Sequence, residues 1–131
     1  MGPEEEVRQW YIQKLIHDYG YDEYGIFKEI PVLGGSNNSE FGTGRIDIAV
    51  FDKLIVPTII VEVKAEEVSI RTPEVFRQLQ RYIEMISALS RTPVPFGVLT
   101  NRKETVNFMV HINKADEAEM KPIVDIPRWH Q

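Results

Sequence analysis

The chain contains no cysteine, so neither a disulfide nor a thiolate metal site can contribute to its stability or its chemistry. No apolar run approaches the roughly 18 residues that a membrane-spanning helix needs. The opening Met1-Gly2-Pro3-Glu4-Glu5-Glu6 is acidic where a secretion signal is basic and then apolar. A cytoplasmic protein with no membrane partner is the expectation, and the sequon Asn37-Asn38-Ser39 then carries no meaning. A phosphate-cradling loop is missing too, because Gly42-Thr43-Gly44 leads into a strand pattern and not into a helix. His17, His111 and His130 have no zinc-binding spacing, and no Ser-His-Asp arrangement stands out.

What is present is ordinary in bulk and uneven in detail. A length of 131 residues suits one domain with one core, and 43% hydrophobic with 27% charged residues is typical of a globular chain. The net charge of −5 runs against a nucleic-acid partner. Its distribution softens that. Residues 45–103 hold nine basic and seven acidic side chains, net +2, while the rest of the chain carries −7.

Glu4 to Tyr19 reads as an amphipathic helix, with Val7, Trp10, Tyr11, Leu15 and Ile16 at helical spacing and Gly20 as the stop. Ile26 to Leu33 is a strand candidate, and Gly34 to Gly44 a Gly/Ser/Asn-rich connection. Arg45–Phe51 and Thr58–Ala65 are rich in Ile and Val, and the short turn between them favours an antiparallel hairpin. Thr72-Pro73-Glu74 has the form of a helix start: N-cap, first-position proline, first-turn acid. That helix runs to about Ser90 with Val75, Leu79, Tyr82, Ile86 and Leu89 on one face. Phe96–Thr100 and Val106–Ile112 are the last strand candidates, and the acidic tail 114–131 has no assignment. The order αβββαββ predicts an α/β (α+β) domain with a central mixed sheet flanked by helices.

The chemistry sits where charge interrupts apolar strands. Glu62 and Lys64 alternate with Val61 and Val63, so they share one strand face. Arg45 and Asp47 likewise share a face, opposite Ile46 and Ile48, and an antiparallel pairing brings Asp47 to Glu62 and Lys64. Two carboxylates and an ammonium in oily surroundings are costly unless compensated. A hard divalent cation compensates carboxylates naturally, and a lysine beside it can orient a water or neutralise developing charge. Glu-x-Lys alone is a common pattern that a solvated edge-strand ion pair also explains.

The runs Glu4-Glu5-Glu6-Val7-Arg8-Gln9, Tyr19-Gly20-Tyr21, Gly44-Arg45-Ile46-Asp47-Ile48-Ala49-Val50, Val61-Glu62-Val63-Lys64-Ala65, Gln78-Leu79-Gln80-Arg81-Tyr82 and Val98-Leu99-Thr100-Asn101 resemble, in order and spacing, the N-terminal nuclease domain of type I restriction enzyme R subunits (HsdR). The resemblance implies a PD-(D/E)xK nuclease with a restriction-endonuclease-like fold, acting on DNA with Mg²⁺ (Mn²⁺ as substitute). It implies Asp47 and Glu62 as metal ligands, the Val63 carbonyl facing the metal, and Lys64 as the catalytic lysine. The Gln-x-x-x-Tyr motif of one branch is matched by Gln78 and Tyr82, and the first-helix acid best by Glu5, with Glu6 as substitute. Tyr82 also suits core packing, and Glu5 suits the dipole of a helix start. Arg45, Arg77 and Arg81 are the candidates for phosphate contact.

The chain departs from the pattern in two places. Arg102 stands where family members often carry glycine after the Thr-Asn pair, and no Walker A sequence of a helicase motor is present. It is therefore read either as a fragment, partnered by a helicase/translocase domain or restriction-modification subunits, or as a free-standing relative. Two functions stay open: a Mg²⁺-dependent endodeoxyribonuclease, and a catalytically inactive nucleic-acid or protein-binding module on the same fold.

Overall fold

Six strands, alternately rich in Ile and Val or closed by polar turns, assemble into one sheet in a computed structural model that describes residues 2–32 and 44–129. The expected connection at 34–44 falls almost wholly outside the described residues, as do Leu33 and His130. Helix α1 spans Pro3–His17, a single 3₁₀ turn Glu23–Gly25, and the strands are β1 (Ile26–Pro31), β2 (Arg45–Phe51) and β3 (Pro57–Val63). Helix α2 (Pro73–Ser90) follows, then β4 (Phe96–Thr100), β5 (Thr105–Ile112) and β6 (Ala118–Ile123). No described helix is long and apolar enough to cross a membrane.

The strands lie in chain order, β1-β2-β3-β4-β5-β6. Every neighbouring pair is antiparallel except β3 and β4. A parallel pair needs a crossover, and α2 supplies it. Thr72 caps α2 by accepting from the Val75 amide at 3.3 Å, with Pro73 in the first turn, as the sequence predicts. The class is the expected α+β with a central mixed sheet.

The two helices cover opposite faces. Val7, Tyr11 and Leu15 of α1 pack on Ile48, Val50, Ile59, Val61, Val63 and Val98. Val75, Leu79, Tyr82 and Ile83 of α2 pack on Ile46, Ala49, Ile60, Leu99 and Phe108. Each fully buried Leu or Ile contributes about 2 kcal/mol by removal from water. The approach of α2 is close: a Cβ on Gly97 would stand 2.7 Å from Ile83 Cδ1.

Three features differ from the sequence reading. Leu89 is 77% exposed, because the buried face of α2 drifts to Ile83 and Ser87. A sixth strand, Ala118–Ile123, lies on the β5 edge, with Pro122 opposite Phe108, where a missing N–H is tolerated. Ile46 and Ile48 do not share a face, since Ile46 joins the core under α2 and Ile48 the core under α1. The break falls at Asp47, opposite Glu29, whose φ of +54° interrupts β1. After β6 the chain returns to α1, burying Ile126 and donating the Trp129 amide to the Tyr19 carbonyl at 2.8 Å.

Candidate active site

The β2–β3 ladder is regular from Val50 to Ile48 and then opens. At the opening, the Val63 amide donates to Asp47 Oδ2 at 2.8 Å, so a side chain takes the place of a backbone partner. This fixes the Asp47 carboxylate, 7% exposed, at the end of the hairpin. Glu62, 3% exposed, reaches it from β3, and the two carboxyls come within hydrogen-bonding range of each other. Lys64 closes the group, its Nζ 3.8 Å from Glu62 Oε2. The Lys64 amide is held by the Thr100 carbonyl at 2.9 Å, which ties the lysine to the end of β4.

The electrostatics follow from burial. Glu62 is pushed far above the usual carboxylate range, first by desolvation and then by the bond and charge of Asp47, with Lys64 pulling the other way. A proton can relieve such a pair, and so can a cation. The ligand atoms the pair offers are all carboxylate oxygens, which fits a hard divalent ion that keeps several waters. Among the described residues no three His, Asp or Glu side chains form a ready-made cage. Any ion here would therefore rely on the carboxylate pair, main chain and water.

Gln78 and Tyr82 share a face of α2, and Gln78 Nε2 donates to the Tyr82 hydroxyl. The Arg45 backbone also hydrogen-bonds that hydroxyl. Desolvation, and after it the negative charge of Glu62 and Asp47, pushes Tyr82 up to about 12. The phenol thus faces the carboxylate pair in its neutral, donating form. Gly44 leaves room for this approach, since a Cβ there would lie 2.7 Å from the Tyr82 oxygen and displace it.

The first helix brings two acids near the site, Glu5 through Arg8 and Glu4 through its charge. Glu5 bonds to Arg8 and Gln9 and lies 3.9 Å from Lys28 Nζ. Burial raises its pKa, but the Arg8 bond and charge outweigh this and leave it lowered. Glu4 instead is raised by desolvation and by the charge of Asp47, and it also acts on Glu62. Sequence reasoning missed Glu4, and Arg8 as well, whose Nη1 lies 3.6 Å from Asp47 Oδ1. Both sit in the run Glu4-Glu5-Glu6-Val7-Arg8, whose facing is set only when α1 docks.

The three arginines proposed for phosphate contact differ in exposure. Arg45 and Arg77 are exposed and Arg81 is half-buried. Arg77 and Arg71 rim an open cavity of about 420 Å³ floored by Ile70, Leu99 and Phe108, and neither Asp47 nor Glu62 lines it. Arg102 takes the left-handed backbone, φ +78°, that glycine adopts without strain. Asn101 supports that turn by accepting from the Glu104 amide and donating to Val68, both at 2.8 Å, so its shape survives without glycine.

No curated protein matches the chain. A family model described as type I restriction enzyme R protein N terminus (HSDR_N) matches residues 3–127. That span takes in both helices, all six strands and every residue of the Asp47–Glu62–Lys64 group, so the chain belongs to the family of N-terminal domains of type I restriction enzyme R proteins.

Proposed function

We propose that this nuclease-related domain is a divalent-metal-dependent endonuclease module that hydrolyses DNA phosphodiesters. The observation that carries the reading is the buried Asp47–Glu62 pair, opened out of the β-ladder, with Lys64 3.8 Å from Glu62 and Arg8 only approaching Asp47 at 3.6 Å. Structural carboxylates are seldom left in that state. Asp47, Glu62 and the Val63 carbonyl would hold Mg²⁺, or Mn²⁺ in its place, with Glu4 contributing charge from α1. When bound, such an ion supplies Lewis-acid polarisation of a phosphoryl oxygen and neutralises charge in the transition state.

The chain's own groups supply the rest. Lys64, whose amide is held by the Thr100 carbonyl, would hold an attacking water with its Nζ or meet negative charge as it develops. The neutral Tyr82 hydroxyl, fixed by Gln78, can donate to a phosphate oxygen at the site. Arg45 and Arg77, both exposed, can bind flanking phosphates, and Arg81 can join them. The family relation supports DNA and restriction-modification components as the partners of this domain.

The test is cleavage of plasmid, linear duplex, single-stranded DNA and RNA with and without Mg²⁺. Metal-dependent cutting of DNA that disappears in Glu62→Ala and Lys64→Ala, both still folded by circular dichroism, is the expected result. Equal cutting by both variants would refute the site. Nucleic-acid binding with no cleavage by the wild type under any metal would favour the inactive binding module, which the net charge of −5 does not forbid.

A further inference from the structure

Arg8 enters the acidic group from α1, and its bonds are distributed unevenly. It is 7% exposed. Its Nη2 bonds to Glu5 and lies 3.3 Å from Glu29 Oε1. Its Nη1 stands 3.6 Å from Asp47 Oδ1, an ion-pair distance too long for a hydrogen bond. Its Nε is buried with no partner among the described residues. A guanidinium satisfied by a carboxylate normally grips it with two short parallel bonds. Here the grip is on Glu5 and Glu29, and Asp47 is only approached.

The oxygen approached matters. Asp47 Oδ2 is taken by the Val63 amide, whereas Oδ1 faces Arg8 and carries the lone pairs left for a ligand. Glu29 reaches Arg8 because its left-handed backbone, φ +54°, interrupts β1 directly opposite Asp47. Three carboxylates from three elements, α1, β1 and β2, thus share one buried cation.

We propose that Arg8 is the resident counter-cation of Asp47, competing with a divalent ion for Asp47 Oδ1 while Glu5 and Glu29 hold it back. The affinity of the site for metal is then set by a balance outside the ligand set. Arg8 is a positioning residue, and the inference rests on the metal-binding reading of Asp47 and Glu62. A purely structural Arg8, tying α1 to the sheet, predicts the opposite: its loss would loosen the site and weaken metal binding.

Titration calorimetry with Mn²⁺ on the full chain separates these. Arg8→Gln removes the competitor and should bind Mn²⁺ roughly tenfold tighter. Glu29→Gln releases the guanidinium toward Asp47 and should bind roughly threefold weaker. Arg8→Lys keeps the charge and should stay near the wild type. Both shifts should persist in 0.5 M KCl, since a contact at this range escapes screening that removes a long-range field. The Glu29 side chain is about half exposed, so Glu29→Gln keeps the test open even if Arg8→Gln does not fold. Weaker binding by Arg8→Gln, unchanged or tighter binding by Glu29→Gln, or shifts abolished by salt would overturn the proposal. No Mn²⁺ binding by the wild type would overturn the metal reading itself, a separate failure.

Discussion

The β2–β3 hairpin carries an aspartate at each end, and their surroundings differ in one physical respect. At the turn end, Asp52 Oδ1 accepts from the Leu54 amide at 2.8 Å and the Val56 amide at 3.0 Å. Those amides come from the next four residues, so the local chain compensates the charge. At the open end, Asp47 has one amide, from a strand 16 residues away, a second carboxyl against it, and a guanidinium no closer than 3.6 Å. The same side chain serves as a turn-former where the backbone satisfies it. It becomes a candidate ligand where the ladder parts before satisfaction is complete.

The largest effect expected from this contrast lies in catalysis. Asp47→Ala should lower metal-dependent DNA cleavage by at least about 10³-fold, the scale of losing a metal's charge stabilisation. Asp52→Ala should leave cleavage unchanged and cost about 1 kcal/mol of stability, read as a fall of roughly 3 °C in Tm. Comparable losses of cleavage at both ends would break the comparison. Next comes Lys64→Ala, for which single-turnover cleavage at saturating Mn²⁺ should fall about 10²- to 10³-fold. If the lysine's role were only to compensate the carboxylates, cleavage at saturating metal would not change.

Gln78→Ala should cost less, about tenfold in cleavage rate, because it removes the fixed partner of Tyr82 but no charge. The smallest effect concerns stability without metal. The folded-state pKa of Glu62 is raised above its ordinary 4.5, so the native state holds a proton that the unfolded chain releases. Its contribution is fully present below pH 4.5 and is lost progressively as pH rises toward the raised value. In EDTA, Glu62→Gln should therefore be more stable than the wild type above neutrality by a few °C and show a flatter decline of Tm with pH. Parallel Tm–pH curves for the two proteins would show that Glu62 is not strained at all.

Much of this architecture was legible in local pattern. The Thr72-Pro73-Glu74 start of α2, the Ile/Val-rich hairpin and the shared face of Glu62 and Lys64 all follow from short-range rules, and the structure has them. Strand β6 was not legible, because Ala118-Glu119-Met120-Lys121-Pro122-Ile123 has little strand preference and pairs only because β5 offers an edge. Leu89 was misjudged because a helical stripe is read without knowing how far the sheet extends beneath it. Arg8 and Glu4 were overlooked for a further reason. Their relation to Asp47 spans some forty residues and depends on how α1 is rotated on the sheet. Periodicity gives the helix, while docking decides where each of three consecutive acids points.

The central claim is that Asp47 and Glu62 act together as one cation site, and Mn²⁺ titration calorimetry tests it most directly. The wild type should bind one equivalent, with the signal abolished in Asp47→Ala and in Glu62→Ala and retained in Asp52→Ala. Saturable Mn²⁺ binding that survives loss of either buried carboxylate would contradict the account.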